Sequence, residues 1–164
     1  MNNPILRAWI GLGSNLEHPP QQVRRAFEEL RQLPDTTLVA HSSLYRSEPL
    51  GPPDQPDYIN AVAALDTRLA PEPLLDRLQA IEQAHRRVRT RHWGPRTLDL
   101  DLLLYGDRVI ATPRLTVPHP GIYTRHFVLW PLAELAPQLI LPDGRPLQAL
   151  LRHCPLGTLE KIPV

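Results

Sequence analysis

Residues 98–104 read Leu-Asp-Leu-Asp-Leu-Leu-Leu, with leucine at 98, 100, 102 and 104. Alternation with period two predicts a β-strand with one face in a core, and Gly106-Asp107 ends it. Such a strand needs neighbours on its edges and a layer over its apolar face. The rest of the chain supplies both. Residues 9–12 read as a strand running into a turn at Gly13-Ser14-Asn15. Val23, Ala26, Phe27, Leu30 and Leu33 follow with helical spacing, opened by Pro19-Pro20 and closed by Pro34-Asp35. Residues 37–46 and 58–67 read as two further strands, separated by a loop with prolines at 49, 52, 53 and 56. A second helix spans about 71–86, with Leu74, Leu75, Leu78 and Ile81 on its apolar side. Beyond the leucine strand, 109–110 suggest a short return strand, and 123–136 (broken by Pro131) and 146–153 suggest helices. The order strand, helix, strand, strand, helix, strand is that of an α+β ferredoxin-like sandwich, an antiparallel sheet with helices packed on it. With 164 residues the chain is expected to form one domain over 1–164.

Composition removes several classes of function. A net charge of +1 gives no global attraction to nucleic acid or to an anionic membrane. No apolar run approaches ~20 residues, so no spanning helix is expected, and the N-terminus lacks an apolar secretory segment. The one cysteine, Cys154, has no partner for an internal disulfide and reads as an inert, partly buried thiol. A cytoplasmic, monomeric protein is the expectation. Twenty prolines are spread along the chain and read as loop punctuation, with no low-complexity tract.

Asp99 and Asp101 lie on the strand face opposite the leucines, about 6.5 Å apart at the backbone. Two carboxylates so close raise each other's pKa unless a cation neutralises them, and Mg²⁺ takes one or two carboxylates together with waters and phosphate oxygens. An ordinary solvated strand face is the alternative. The preceding stretch bears on the choice: Arg86, Arg87, Arg89, Arg91 and Arg96 occur with no acidic residue between Glu82 and Asp99. Arginine grips phosphate through paired hydrogen bonds, and carboxylate-held magnesium beside an arginine loop is what phosphoryl transfer requires. Trp93-Gly94-Pro95 adds a flat ring beside turn residues. No P-loop is present, because Gly11-Leu12-Gly13-Ser14-Asn15 lacks both the spacing and the lysine; that segment reads as a strand-to-loop turn. Tyr58 and Asn60 share one strand face and suit a pocket wall, although a rigid connector would explain the proline-rich loop before them equally well.

The segment His92-Trp93-Gly94-Pro95-Arg96-Thr97-Leu98-Asp99-Leu100-Asp101-Leu102-Leu103 resembles the signature of the 6-hydroxymethyl-7,8-dihydropterin pyrophosphokinases of folate biosynthesis. Three more segments match in order: Gly13-Ser14-Asn15-Leu16; Tyr45 to Gly51 together with Asp57-Tyr58-Ile59-Asn60; and Leu115-Thr116-Val117-Pro118-His119-Pro120. The similarity runs from about Ala8 to Asp143. It implies a ferredoxin-like fold, ATP as donor, two Mg²⁺ ions, AMP as product and no covalent enzyme intermediate. By position, Asp99 and Asp101 resemble the metal ligands and, with Arg89 and Arg96, the catalytic set. Ser47, Leu50, Tyr58, Asn60, Trp93 and Phe127 resemble the pterin pocket, its ring held between two aromatic side chains. Gln79, Glu82, Arg87, Arg89, Arg96, Leu102, Arg114, Thr116, His119 and Arg125 resemble the ATP-contacting set. The departures are Ser47 where threonine is common, a shortened loop before Trp93 with His92 where arginine is frequent, and Pro120 where tyrosine occurs.

The resemblance implies small-molecule substrates and no nucleic-acid partner. A ferredoxin-like RNA-binding module is the rival reading; the near-neutral charge, the two aspartates on the strand and the lack of an aromatic-rich strand oppose it. An inactive relative is the third, opposed by the presence of both aspartates and Arg96. The loop from about 87 to 95 is expected to stay open without ligand, because its arginines repel one another, and to close over bound ATP.

Overall fold

The computed structural model describes residues 3–49, 54–85 and 97–162. The elements run β1 (Leu6–Ser14), α1 (Pro19–Arg31), β2 (Thr36–His41), β3 (Tyr45–Ser47), β4 (Tyr58–Thr67), α2 (Pro71–His85), β5 (Asp99–Tyr105), β6 (Ile110–Ala111), β7 (Thr116–Val117), a 3-10 turn (Pro120–Tyr123), α3 (His126–Leu135), α4 (Leu147–Arg152) and β8 (Glu160–Lys161). The main sheet is ordered β5-β1-β4-β3-β8, with β2 also on β4, and every pairing is antiparallel. This is the expected α+β sandwich.

α1 and α2 cover one face. Val23, Ala26, Phe27 and Leu30 from α1, and Leu74, Leu78 and Ile81 from α2, pack on Ile10, Leu12, Ala61, Ala63, Leu65, Leu100 and Leu102. The appended C-terminal portion lies on the opposite face, where α3 and α4 form a second core with Trp9, Val62, Ala64, Leu103 and Leu104. β4 is therefore covered on both sides, which explains its unbroken apolar run Ala61, Val62, Ala63, Ala64, Leu65 in place of clean alternation.

Three expectations change. β1 contains Gly11 as expected but extends on through Gly13 to Ser14, so Gly13 and Ser14 lie inside a strand and not in a turn. The strand expected at 37–46 is broken into β2 and β3, because the Ser42 hydroxyl takes the Val62 amide at 2.9 Å in place of a ladder carbonyl. The leucine alternation also slips: Ile10 pairs with Leu102 but Trp9 with Leu104, so Leu103 is an extra residue that bends β5. Leu104 consequently faces the second core, not the first.

α3 is fastened to β3 by Glu134, whose carboxylate accepts from the Ser43 amide (3.0 Å), the Ser43 hydroxyl (3.1 Å) and the Tyr45 hydroxyl (2.6 Å). Burial pushes the Glu134 carboxyl up, but the bonds from Tyr45 and Ser43 and the charge of Lys161 outweigh it, and its pKa lies below the usual carboxylate value. Burial and the same carboxylate push the Tyr45 phenol upward. A carboxylate pKa depressed by folding stabilises the protein above the unfolded value of about 4.3 and ceases to do so as pH falls through the lower folded value. Glu134→Gln is therefore expected to lower stability by about 1–3 kcal/mol at neutral pH. It is also expected to flatten the acid limb of the stability profile, so that the two proteins converge at low pH; melting curves across the acid range measure both. Cys154 is buried, its thiol donates to the Thr124 carbonyl at 3.3 Å, and burial pushes its pKa up, as befits an inert thiol.

Candidate functional site

Opposite residues in antiparallel strands send their side chains to the same face. Asn60 of β4 pairs with Gly13 of β1, and Gly13 pairs with Asp99 of β5. Tyr45 of β3 continues this row beyond Asn60. The next row is Val62, Gly11 and Asp101. Asp99, Asp101, Asn60 and Tyr58 thus share the face carrying α3 and α4, and Asp99 stands about 10 Å from Asn60, two strand spacings away. Between them the surface is bare backbone. Glycine weakens a strand interior and often marks a place where something approaches the backbone closely. A Cβ on Gly13 would stand 3.4 Å from Asn60 Oδ1 and 3.7 Å from the Tyr58 ring, and one on Gly11 would stand 3.3 Å from Leu103. Sequence reading missed this floor. The available signal was glycine at 11 and 13 alternating with apolar Ile10 and Leu12.

On one side of the floor, Asn60 Nδ2 donates to Ser47 Oγ at 2.6 Å, and both residues are buried. The bond fixes the amide's orientation and leaves Oδ1 over Gly13. Asn15 is a second residue that the sequence did not single out. Fully buried, it donates to Gln55 Oε1 (2.9 Å) and the Pro56 carbonyl (3.0 Å), tying the proline-rich loop to the end of β1. Phe127 stands in the first turn of α3, partly buried against the second core, with the Arg125 guanidinium 5.8 Å from its ring centre.

On the other side, most of the expected nucleotide set gathers along the outer edge of β5. Glu82 of α2 accepts the Leu100 amide at 2.8 Å, and the His119 amide donates to the Leu103 carbonyl at 3.0 Å. The Leu102 side chain is buried in the first core, so only its backbone faces that edge. Arg114, between β6 and β7, reaches α2, donating to Gln79 (3.0 Å) and Asp76 and pairing with Glu72 (3.5 Å). The Asp76 bond above all holds the guanidinium firmly charged. Thr116 is exposed on β7. His119 Nδ1 accepts the Gly121 amide at 3.0 Å, which puts the proton of the neutral ring on Nε2, 3.8 Å from Asp101 Oδ1. Arg125 lies across Gly121, where a Cβ would come within 2.6 Å of its Nε.

Asp99 and Asp101 are half-exposed. Among the described residues no three histidine, cysteine or acidic side chains form a metal-holding group. Two carboxylates that leave the other positions to phosphate oxygens and water suit Mg²⁺, which dehydrates reluctantly and seldom occupies an all-protein cage. Leu50, Arg87, Arg89, Trp93 and Arg96, and with them the expected closing loop, lie outside the described residues. No helix among the described residues is long and apolar enough to cross a membrane.

Residues 9–137 match the family model of the 7,8-dihydro-6-hydroxymethylpterin-pyrophosphokinases. The chain is 56% identical over 159 residues to a 2-amino-4-hydroxy-6-hydroxymethyldihydropteridine pyrophosphokinase of Pseudomonas aeruginosa, covering 97% of this chain and 98% of the relative. It is 51% identical over 149 residues to the Haemophilus influenzae protein of the same name, covering 91% and 93% of the two. Its fold matches HPPK-DHPS chains of Plasmodium falciparum, one with a TM-score of 0.77 at 12% identity over 99% of this chain and 48% of that one. The chain thus spans about half the length of those solved structures.

Proposed function

This chain belongs to the 7,8-dihydro-6-hydroxymethylpterin-pyrophosphokinase family, and on that premise we propose that it transfers pyrophosphate from ATP to 6-hydroxymethyl-7,8-dihydropterin in folate biosynthesis. The substrate's hydroxymethyl oxygen bonds to the β-phosphorus of ATP. The bond from that phosphorus to the oxygen shared with the α-phosphate breaks, AMP leaves, and the hydroxyl proton passes to solvent. No covalent intermediate forms on the protein, and positioning with charge neutralisation carries the step. The observation that supports this reading is the row Asn60, Gly13, Asp99, which sets a hydrogen-bonding wall and a carboxylate at opposite ends of a bare floor.

Asn60 and Ser47 read the polar edge of the pterin, Tyr58 and Phe127 contribute its aromatic walls, and Leu50 and Trp93 complete the pocket. Gln79, Glu82, Arg114, Thr116, His119 and Arg125, with the Leu102 backbone, hold ATP along the outer edge of β5. Arg87, Arg89 and Arg96 reach its phosphates. Asp99 and Asp101 would hold two Mg²⁺ ions, which supply positive charge to the transferring oxygens. The protein acts as a cytoplasmic monomer on small molecules, without nucleic acid or membrane.

Product analysis with hydroxymethyldihydropterin and Mg-ATP tests the reading. AMP supports it, ADP indicates an ordinary kinase, and no turnover favours a binding role. Asn60→Ala is expected to weaken pterin binding about tenfold or more, the usual effect of removing one buried hydrogen-bonding partner. ATP affinity should change much less. Equal losses in calorimetry would reassign Asn60 to supporting the fold.

A further inference from the structure

The two edges of β5 are held differently. Its inner edge pairs with β1, and Asp99 and Asp101 lie opposite Gly13 and Gly11. Alternate amides of an antiparallel strand point to opposite edges, so the amide of Leu100, between the two aspartates, points outward. Glu82 Oε2 accepts it at 2.8 Å. Glu82 lies in the last turn of α2, where the helix dipole disfavours a negative charge. A carboxylate in that position calls for a reason other than helix stability, and the outward amide supplies one. The backbone angles at Leu100 set the distance and relative aim of the two neighbouring carboxylates. A bond to the Leu100 amide restrains those angles directly. It also joins positions eighteen residues apart, closing the base of the connection from α2 to β5.

We propose that Glu82 is a positioning residue: by holding the peptide between Asp99 and Asp101, it fixes the spacing at which those carboxylates present themselves to a divalent cation. The proposal rests on the reading of Asp99 and Asp101 given above. It adds to the nucleotide contact expected of Glu82 a role exerted through β5, and the two roles separate by experiment. Glu82→Leu removes the acceptor, whereas Glu82→Gln keeps a neutral acceptor of the same reach.

Mn²⁺, a paramagnetic stand-in for Mg²⁺, is titrated by electron paramagnetic resonance into the full chain with a non-hydrolysable ATP analogue. Amide exchange at Leu100 is followed by NMR on the same variants. Glu82→Leu is expected to weaken Mn²⁺ binding in the ternary complex about tenfold or more and to speed Leu100 exchange by a similar factor, given the strength of hydrogen bonds to charged groups. Glu82→Gln is expected to stay within about threefold of the parent in both, since an acceptor remains. Affinity for the analogue in EDTA reports the nucleotide contact by itself, and in Glu82→Leu it should fall much less than Mn²⁺ affinity does. An equal loss of analogue affinity without metal would make Glu82 a nucleotide contact alone and overturn the proposal. Unchanged Mn²⁺ binding and Leu100 exchange in Glu82→Leu would also overturn it. If Glu82→Leu fails to fold, a tenfold loss of Mn²⁺ affinity in Glu82→Gln is the overturning result. Asp101→Asn serves as control: Mn²⁺ binding at parental strength there removes the reading of the aspartates, and this proposal with it.

Discussion

Asp101→Asn is expected to lower AMP formation by about two to three orders of magnitude while leaving the fold intact. The side chain is 44% exposed, and among the described residues its ionic neighbour, His119 Nε2, is 3.8 Å away, too far for a hydrogen bond. Substitution should therefore shift stability by no more than about 0.5 kcal/mol, the usual range at a surface position. Removing one of two like charges on the same strand face should, if anything, help the folded state. Catalysis responds differently, because an amide oxygen is a weak ligand and no longer offsets the charge of a cation carrying triphosphate oxygens. Thermal melting beside an AMP assay across a magnesium titration separates the two effects. Near-normal AMP production at saturating magnesium would reject the role.

Gly13→Val is expected to damage pterin binding while sparing the nucleotide. A Cβ here would meet Asn60 Oδ1 at 3.4 Å, and valine adds two methyl groups on the floor between Asn60 and Asp99. β-branched residues suit strands, so the backbone of β1 accepts the change. Overpacking by a few methyl groups costs about 1–3 kcal/mol, or about 5- to 150-fold in affinity, and it falls on whichever ligand uses the floor. Binding of the ATP analogue along the outer edge of β5 should stay within about threefold, the spread expected between separated sites. Fluorescence titration with pterin and calorimetry with the analogue provide the comparison. An unchanged pterin affinity would show that nothing rests on the glycines.

What could be read from the sequence was local. The limits of β4 and the start of α2 follow from apolar period and flanking prolines and agree with the structure. The common face of Asp99 and Asp101 follows from pleat geometry alone. Properties set by distant pairing did not emerge. Gly13 carries a turn signal when only neighbouring residues are considered; its meaning depends on β4 and β5 arriving on either side. Leu104 obeyed the alternation on paper, but the extra residue Leu103 sends it to the other core. The bonds from Asn15 to Gln55 and Pro56 span about forty positions. No window of sequence contains such a partner, and polar residues give no periodic signal.

β3 is a three-residue strand, and it carries Ser47, the partner of Asn60. On its far side it pairs with β8, where Lys161 meets Tyr45, Glu160 meets Arg46, and the Ile162 amide donates to the Leu44 carbonyl at 2.9 Å. The tail of the domain is thereby mechanically in series with the proposed pterin wall, more than a hundred residues away along the chain. An affinity tag or fusion partner attached behind residue 162 would pull on that wall through β3, whereas one attached ahead of β1 enters the sheet at Leu6, the end of β1 remote from Gly13 and Asn60. Handling the protein by its front end is the safer engineering choice. A rear-attached partner should register first as a weaker hold on the pterin, with nucleotide binding unaltered.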